Sequence, residues 1–94
     1  MSVYTERSAT GSAVGTGRYM AVIYNNDHTS FDVVIRAIQA ATRCDHTEAS
    51  IEAWEAHHYG KAPIHFASES ECVLAQTIML AAGVQTTVEL EWTD

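Results

Sequence analysis

The sequence YMAVIYNNDHT, residues 19–29, changes at its midpoint from apolar to polar. The apolar half, Tyr19–Tyr24, predicts a strand, and Asn25–Asp27 predicts the turn that ends it, because short Asx side chains satisfy local backbone groups. A helix is predicted from about Ser30 to Thr42, where apolar residues recur at helical spacing, with Thr29 as its N-cap. The fold therefore begins with a strand that enters a helix through a polar turn.

Capping signals and an alternating pattern predict the remaining elements. A second helix begins at Asp45 and ends near Tyr59, where Gly60 can take the left-handed conformation. A short strand, a third helix and a last strand are predicted over residues 62–67, 68–82 and 86–92. The order β-α-α-β-α-β predicts an α+β fold in which a small three-stranded antiparallel sheet packs against three helices.

Composition divides the chain into a flexible, disordered N-terminal arm, residues 1–17, and a core domain, residues 18–94. The arm is rich in Ser, Thr, Gly and Ala and holds too little apolar surface to offset the entropy of ordering, whereas 47% of the whole chain is hydrophobic. A net charge of −7 argues against nucleic acid and anionic membrane surfaces as partners. Because no segment is typical of a leader or a membrane span, the chain is expected to be cytoplasmic.

Asn25, Asp27 and His57 are candidate ligands for a small cation such as an α-amino group. An ammonium group has three donors, and an amide oxygen, a carboxylate and one unprotonated imidazole nitrogen can each accept one of them. Protonated His57 cannot accept, so binding is expected to weaken at acidic pH. Without convergence, the Asx residues are only a turn and His57 is only a helix-end imidazole. The functional interpretation depends on all three meeting at one place.

Other chemistries find little support. There is no HExxH motif and no GxSxG elbow, so no catalytic residue, metal or cofactor is expected. A chance zinc site formed by Asp27, His28 and His57 is the alternative for the same cluster. Cys44 and Cys72 have no CxxC spacing and are expected to be small, partly buried residues of a reduced protein, with a disulfide as the alternative.

Several apolar residues recur at helical spacing around the candidate cation site, a pattern typical of core: Phe31, Val34, Ala53, Trp54 and Ala56. Ala53 and Ala56 lie one turn or less before His57. Because both side chains are small, they are expected to leave a cavity beside the cation site.

From Tyr19 to Trp92 the chain resembles the ClpS adaptors of bacterial ATP-dependent proteolysis. Residues 22–34, VIYNNDHTSFDVV, are similar to the family pattern V-x-L-x-N-D-D-x-T-P-M-E-F-V. Residues 56–62, AHHYGKA, and residues 70–76, SECVLAQ, are similar to the family's V-H-x-x-G-K/x-A and A-E-T-K-V-A-Q. The resemblance implies a non-enzymatic adaptor that binds the N-terminal residue of N-degron peptides and proteins, usually Leu, Phe, Tyr or Trp. Such an adaptor delivers its substrate to a ClpA- or ClpC-like AAA+ unfoldase of the Clp protease.

The resemblance also implies a role for individual residues. Asn25, Asp27 and His57 would hold the α-amino group of the substrate. Glu71 on the third helix and the N-terminal arm would meet the unfoldase. The pocket for the N-terminal side chain would be lined by Ile23, Thr29, Phe31, Val34, Ala53, Ala56 and Thr86.

Departures from the family pattern concentrate in the pocket. Asn26 replaces an Asp at the mouth, and Ala53 and Ala56 stand where the family has Met and Val. The missing volume predicts an altered preference for the N-terminal residue, either relaxed toward β-branched residues or shifted toward the largest aromatics. On the docking side, Val73 replaces a Lys, so recognition is better supported than delivery.

A second class of function uses the same fold. The C-terminal domain of the ribosomal stalk protein has a similar architecture and recruits partners through a helix face. The alternative is therefore a protein-interaction module that recognises no N-terminal residue.

Overall fold

The structure, a computed structural model, describes residues 18–92, so the predicted arm and the last two residues lie outside the described part of the chain. The predicted order of elements is confirmed. The elements are β1 (Arg18–Tyr24), α1 (Phe31–Thr42), α2 (His46–Tyr59), β2 (Lys61–Ala67), α3 (Glu69–Ala81) and β3 (Thr86–Trp92).

Within residues 18–92 the strands form one antiparallel sheet with β1 at its centre, in the order β2-β1-β3. Tyr24, the last residue of β1, pairs with Lys61 at the start of β2, and Ile23 pairs with Thr86 at the start of β3. Since both neighbouring strands begin where β1 ends, the turn after β1 emerges beside the chain segments that lead out of α2 and α3.

The helix starts agree with the predicted capping signals at two of three places. Asp45 caps α2 by accepting from Glu48 N at 2.8 Å, and Ser68 caps α3. The predicted cap of α1 is wrong: Ser30, not Thr29, accepts from Val33 N at 3.3 Å. Thr29 lies one residue too early because its hydroxyl donates instead to the carbonyl of Gly83, at 3.0 Å.

The core lies between the helices and the sheet, and α2 contributes only methyl groups to it through Ala49, Ala53 and Ala56. The rest of the buried apolar set comes from β1, α1, β2, α3 and the segment before β3, and includes Ile23, Ile35, Ile38, Ile64, Met79 and Val84. Cys72 is buried, Cys44 is half-buried and both are free thiols, so the disulfide alternative is not formed. A helix that packs through alanines leaves space that larger side chains would fill.

Glu52 is the one described side chain with a buried polar atom, Oε1, that has no hydrogen-bond partner in residues 18–92. Burial raises its pKa from 4.5 to about 8, with further contributions from a hydrogen bond to Glu48 and from the charges of Glu48 and Glu55. Between about pH 4.5 and 8 the folded protein therefore binds more protons than the unfolded chain. The contribution of protonated Glu52 to the free energy of unfolding is complete below pH 4.5 and is lost as the pH rises through about 8.

Glu52→Gln, which stays neutral at every pH, is expected to remove this loss. Because the Glu52 side chain as a whole is only half-buried, solvent screens part of its charge, so we expect a gain of only about 1 kcal/mol at pH 8 and above, or roughly 4–8 °C in Tm. Thermal unfolding followed by circular dichroism at pH 5, 7 and 9 measures it. Glu69→Gln removes an exposed carboxyl and serves as the control. A difference in Tm that stays constant from pH 5 to pH 9 would contradict the assignment.

Candidate functional site

A cavity of about 250 Å³ lies where β1 passes into the turn before α1, beside the end of α2. Its lining comes from β1, the following turn, α1, α2 and the segment before β3, which are far apart in sequence. The lining residues are Ile23, Tyr24, Asn25, Asn26, Asp27, Thr29, Phe31, Val34, Ala53, Ala56, His57 and Val84.

The three predicted cation ligands meet at this cavity. Asn25 and Asp27 reach it from the turn and His57 reaches it from the last turn of α2. All three side chains are exposed, and within the described residues none of them is occupied by a hydrogen bond or an ion pair. The convergence on which the functional interpretation depended is therefore present in the fold.

The predicted wall residues line the same cavity with one exception. Ile23, Thr29, Phe31, Val34, Ala53 and Ala56 belong to the lining, but Thr86 does not. Thr86 is buried at the start of β3, where it pairs with Ile23 of β1, and its hydroxyl donates to Val84 O at 3.0 Å. Val84, two residues earlier, supplies this part of the wall instead.

The cavity is polar at its mouth and apolar inside. Ile23 and Val84 are buried, and the side chains of Ala53 and Ala56 are only 3% and 4% exposed. The acceptors Asn25, Asp27 and His57 by contrast face solvent. This arrangement suits a ligand in which a cationic group is attached directly to an apolar side chain.

Two glycines with positive φ, Gly60 and Gly83, support the turn that carries Asn25 and Asp27. Gly60 closes α2 in the left-handed conformation with φ 94°, and its N–H donates to Ala56 O at 2.9 Å. The same residue accepts from Asn25 N at 2.9 Å, so the turn is tied directly to the end of the helix that carries His57. Gly83, the second of these glycines, has φ 89° and lies between α3 and β3.

Sequence reasoning missed Tyr24 and Val84, which both line the cavity. Asn26, which the family pattern placed at the mouth, also lines it and makes contacts that the sequence did not predict. Its side-chain oxygen accepts from His28 N at 2.8 Å and from Thr29 N at 2.7 Å, and its side-chain nitrogen donates to Gly83 O at 3.1 Å. The Asx-turn signal could have identified the first two bonds. The bond to Gly83 spans 57 residues of sequence and leaves no local signal.

An aromatic cluster lies on α2 outside the cavity lining. Trp54 was predicted to be a core residue, which is wrong: its side chain is 50% exposed. It stacks on His58 with ring centroids 4.7 Å apart, and Tyr59 meets both rings edge-on. Neither His58 nor Trp54 lines the cavity. Of the two adjacent histidines, His57 and His58, only His57 therefore faces the site.

The predicted docking residue, Glu71, is exposed in the first turn of α3, far in sequence from the cavity residues. Val73 and Leu74, which follow it on the same helix, are also exposed. The start of α3 therefore presents two exposed apolar residues beside the exposed carboxylates of Glu69 and Glu71.

Within the described range no three His, Cys, Asp or Glu side chains are grouped to hold a metal ion, so Asp27, His28 and His57 do not form the alternative zinc site. None of the helices of residues 18–92 is long and apolar enough to cross a membrane.

Comparison with known proteins identifies the family. The sequence family of the ATP-dependent Clp protease adaptor protein ClpS has a family model that matches residues 16–91. Among solved structures, Agrobacterium tumefaciens ClpS2 bound to L-phenylalaninamide has a similar fold, with a TM-score of 0.68 and 22% sequence identity, over 80% of this chain and 98% of that one. A comparison with curated proteins gives no match. On the strength of the family match, which spans nearly all of the described residues, the chain belongs to the ClpS family of Clp protease adaptor proteins.

Proposed function

We propose that this protein is an N-degron adaptor that binds the N-terminal residue of its substrates through the free α-amino group and a large hydrophobic side chain. The observation that carries the proposal is the meeting of Asn25, Asp27 and His57 at the mouth of an apolar cavity. The substrate would then be delivered to a Clp AAA+ unfoldase in the cytoplasm.

The two parts of the cavity divide the recognition between them. An aromatic side chain buries roughly 150–250 Å², so at about 25 cal/mol per Å² its burial contributes roughly 4–6 kcal/mol before the cost of association. A hydrogen bond to a charged group contributes only about 1.5–3 kcal/mol. Three such bonds together are comparable with the burial of one aromatic side chain, so the interior and the mouth both contribute to the affinity. The mouth in addition selects the start of a chain over an internal residue of the same type.

The ligand of the similar structure supports this division. L-phenylalaninamide, which is bound by Agrobacterium tumefaciens ClpS2, carries a free α-amino group, a benzyl side chain and an amide in place of the next peptide bond. It is thus a minimal copy of an N-terminal residue. The cavity described above offers acceptors for the first of these groups and an apolar space for the second.

Binding of peptides with free and blocked N-termini tests the proposal. Fluorescence anisotropy with peptides that begin with Leu, Phe, Tyr or Trp should show binding, and N-acetylated copies should not bind, because they cannot donate three charged hydrogen bonds. Acetylation also adds bulk, so desamino copies, which lack the amino group without adding atoms, provide the control. Equal affinity for the free and desamino peptides would end the proposal.

The ribosomal-stalk-like alternative makes the opposite prediction. It would be favoured if a variant of an exposed helix face abolished binding of a partner protein while the combined replacement of Asn25, Asp27 and His57 left that binding intact. No feature of the cavity favours it.

We further propose that the preference is shifted toward the largest aromatic residues. Ala53 and Ala56 lie three residues apart on α2, which places their side chains on one face of the helix. Both line the cavity, so the volume that they leave is continuous. A single wider space suits a broad ring better than the branched carbon of Val or Ile.

Delivery to the unfoldase is proposed to use the surface around Glu71. The support is the exposed carboxylate beside the exposed apolar residues Val73 and Leu74. Such a surface fits a partner with a basic group at the edge of an apolar patch, since charged residues at the rim of an interface mainly steer association.

A further inference from the structure

The carbonyl oxygen of Gly83 receives two side-chain hydrogen bonds from the turn that carries the proposed amine ligands. Asn26 donates through its side-chain nitrogen at 3.1 Å and Thr29 donates through its hydroxyl at 3.0 Å. Both donors line the cavity. A carbonyl oxygen has two lone pairs, so this acceptor is fully used by the turn.

Asn26 has no acceptor left for a ligand. Its amide oxygen already accepts from the backbone N–H groups of His28 and Thr29, which occupy both lone pairs. An ammonium group could bind this oxygen only by displacing one of those bonds. Asn26 therefore lies at the cavity without a free group for the cation, although its sequence neighbours Asn25 and Asp27 have one.

We infer that Asn26 and Thr29 are positioning residues that clamp the turn to Gly83 and so aim Asn25 and Asp27 at the mouth of the cavity. The inference rests on the proposed function, since it assigns to these two residues a role in holding the amine ligands of that site.

The position of Gly83 explains why the clamp affects the cavity. Val84, the next residue, is part of the cavity wall and is fixed by its own N–H, which donates to Met79 O at 3.0 Å. The clamp therefore ties the polar mouth to the apolar wall. A side chain at position 83 would be strained by the positive φ, and its Cβ would lie 3.2 Å from the Thr29 hydroxyl oxygen.

A matched pair of variants separates positioning from wall contact. Thr29→Val keeps the shape of the side chain and removes the donor, whereas Thr29→Ser keeps the donor and removes the methyl group. If the hydroxyl positions the turn, Thr29→Val should weaken binding of a free-amine peptide roughly tenfold, about the effect of one hydrogen bond, and Thr29→Ser should retain at least about threefold more affinity than Thr29→Val. The reverse order would show that Thr29 acts only through its methyl group and would overturn the inference.

Asn26→Asp separates positioning from direct binding. The carboxylate still accepts from His28 N and Thr29 N, but it places an oxygen instead of an N–H against the Gly83 carbonyl. We expect Asn26→Asp to weaken binding although it adds a negative charge at the mouth. Tighter binding than in the wild-type protein would show that position 26 contacts the amine and would overturn the inference.

Amide hydrogen exchange in the free protein provides a readout that does not depend on a ligand. The backbone amide at position 29 keeps its acceptor at position 26 in these variants, so its protection reports whether the turn opens when the bonds to Gly83 are lost. Its protection factor, which corrects for the intrinsic rate of each residue, should be lower in Thr29→Val and in Asn26→Asp than in the wild-type protein or in Thr29→Ser. A wild-type protein that binds no free-amine peptide would reject the adaptor function. Unchanged exchange at Thr29 in both disruptive variants would reject the clamp, whatever the peptides show.

Discussion

Asp27→Asn is expected to weaken binding of peptides with a free hydrophobic N-terminus by about 1–3 kcal/mol, or roughly 5- to 150-fold in Kd. Among the three proposed amine ligands, Asp27 is the one that carries a negative charge. Asn25 and the unprotonated imidazole of His57 are neutral acceptors. The substitution keeps the size of the side chain and removes the charge, so the loss measures the charge-assisted contact with the ammonium group. Isothermal titration calorimetry with a Phe-initiated peptide measures the change.

Two matched controls separate this contact from the general field of an acidic protein. Asp32→Asn removes the same charge from an exposed position in the first turn of α1, outside the cavity lining. His57→Ala and His58→Ala form a similar pair, since only His57 lines the cavity. If Asp32→Asn cost as much affinity as Asp27→Asn, the effect would be one of net charge and the proposed contact would be wrong.

Ala53→Met combined with Ala56→Val is expected to change the order of preferred N-terminal residues. The larger side chains fill the continuous space on α2, and a methylene-sized change in an apolar pocket alters the binding free energy of a ligand by about 1–3 kcal/mol. We therefore expect affinity for Trp- and Phe-initiated peptides to fall roughly tenfold or more, while affinity for Leu-initiated peptides changes less. A panel of peptides that begin with Leu, Phe, Tyr, Trp, Ile or Val measures the order in the wild-type protein and in the variant.

Ala49→Val is the control for a general loss of stability. Ala49 is buried on the same face of α2 but does not line the cavity. The variant should lower Tm without changing the order of the peptides. A wild-type order with Leu first and Trp last would contradict the proposed shift, and binding of Ile and Val as strong as that of Trp would favour a relaxed preference instead.

Local signals were enough to predict the elements but not every contact between them. Apolar spacing and capping residues such as Asp45 and Ser68 act within a few residues, so the helices and their order followed from the sequence. Thr29 and Ser30 are both suitable caps, and only the distant carbonyl of Gly83 decides between them. Long-range geometry of this kind has no sequence period and cannot be found from spacing.

The same distinction applies to the candidate site. The resemblance to a family placed Asn25, Asp27 and His57 together before their convergence could be seen, because a family motif carries long-range information. It failed at Thr86, where the start of β3 moves the wall to Val84. The prediction for Trp54 failed because helical spacing alone does not say which face of α2 is covered.

The ties of the turn to Gly60 and Gly83 have a thermodynamic consequence. Both ends of the turn, residues 25–29, are bonded to Gly60 and Gly83 in the free protein, so the acceptors are preorganised and little backbone entropy remains to be lost when a ligand binds. The heat capacity change of association should then reflect the apolar surface that the ligand buries, without the large additional decrease that accompanies coupled folding of a segment.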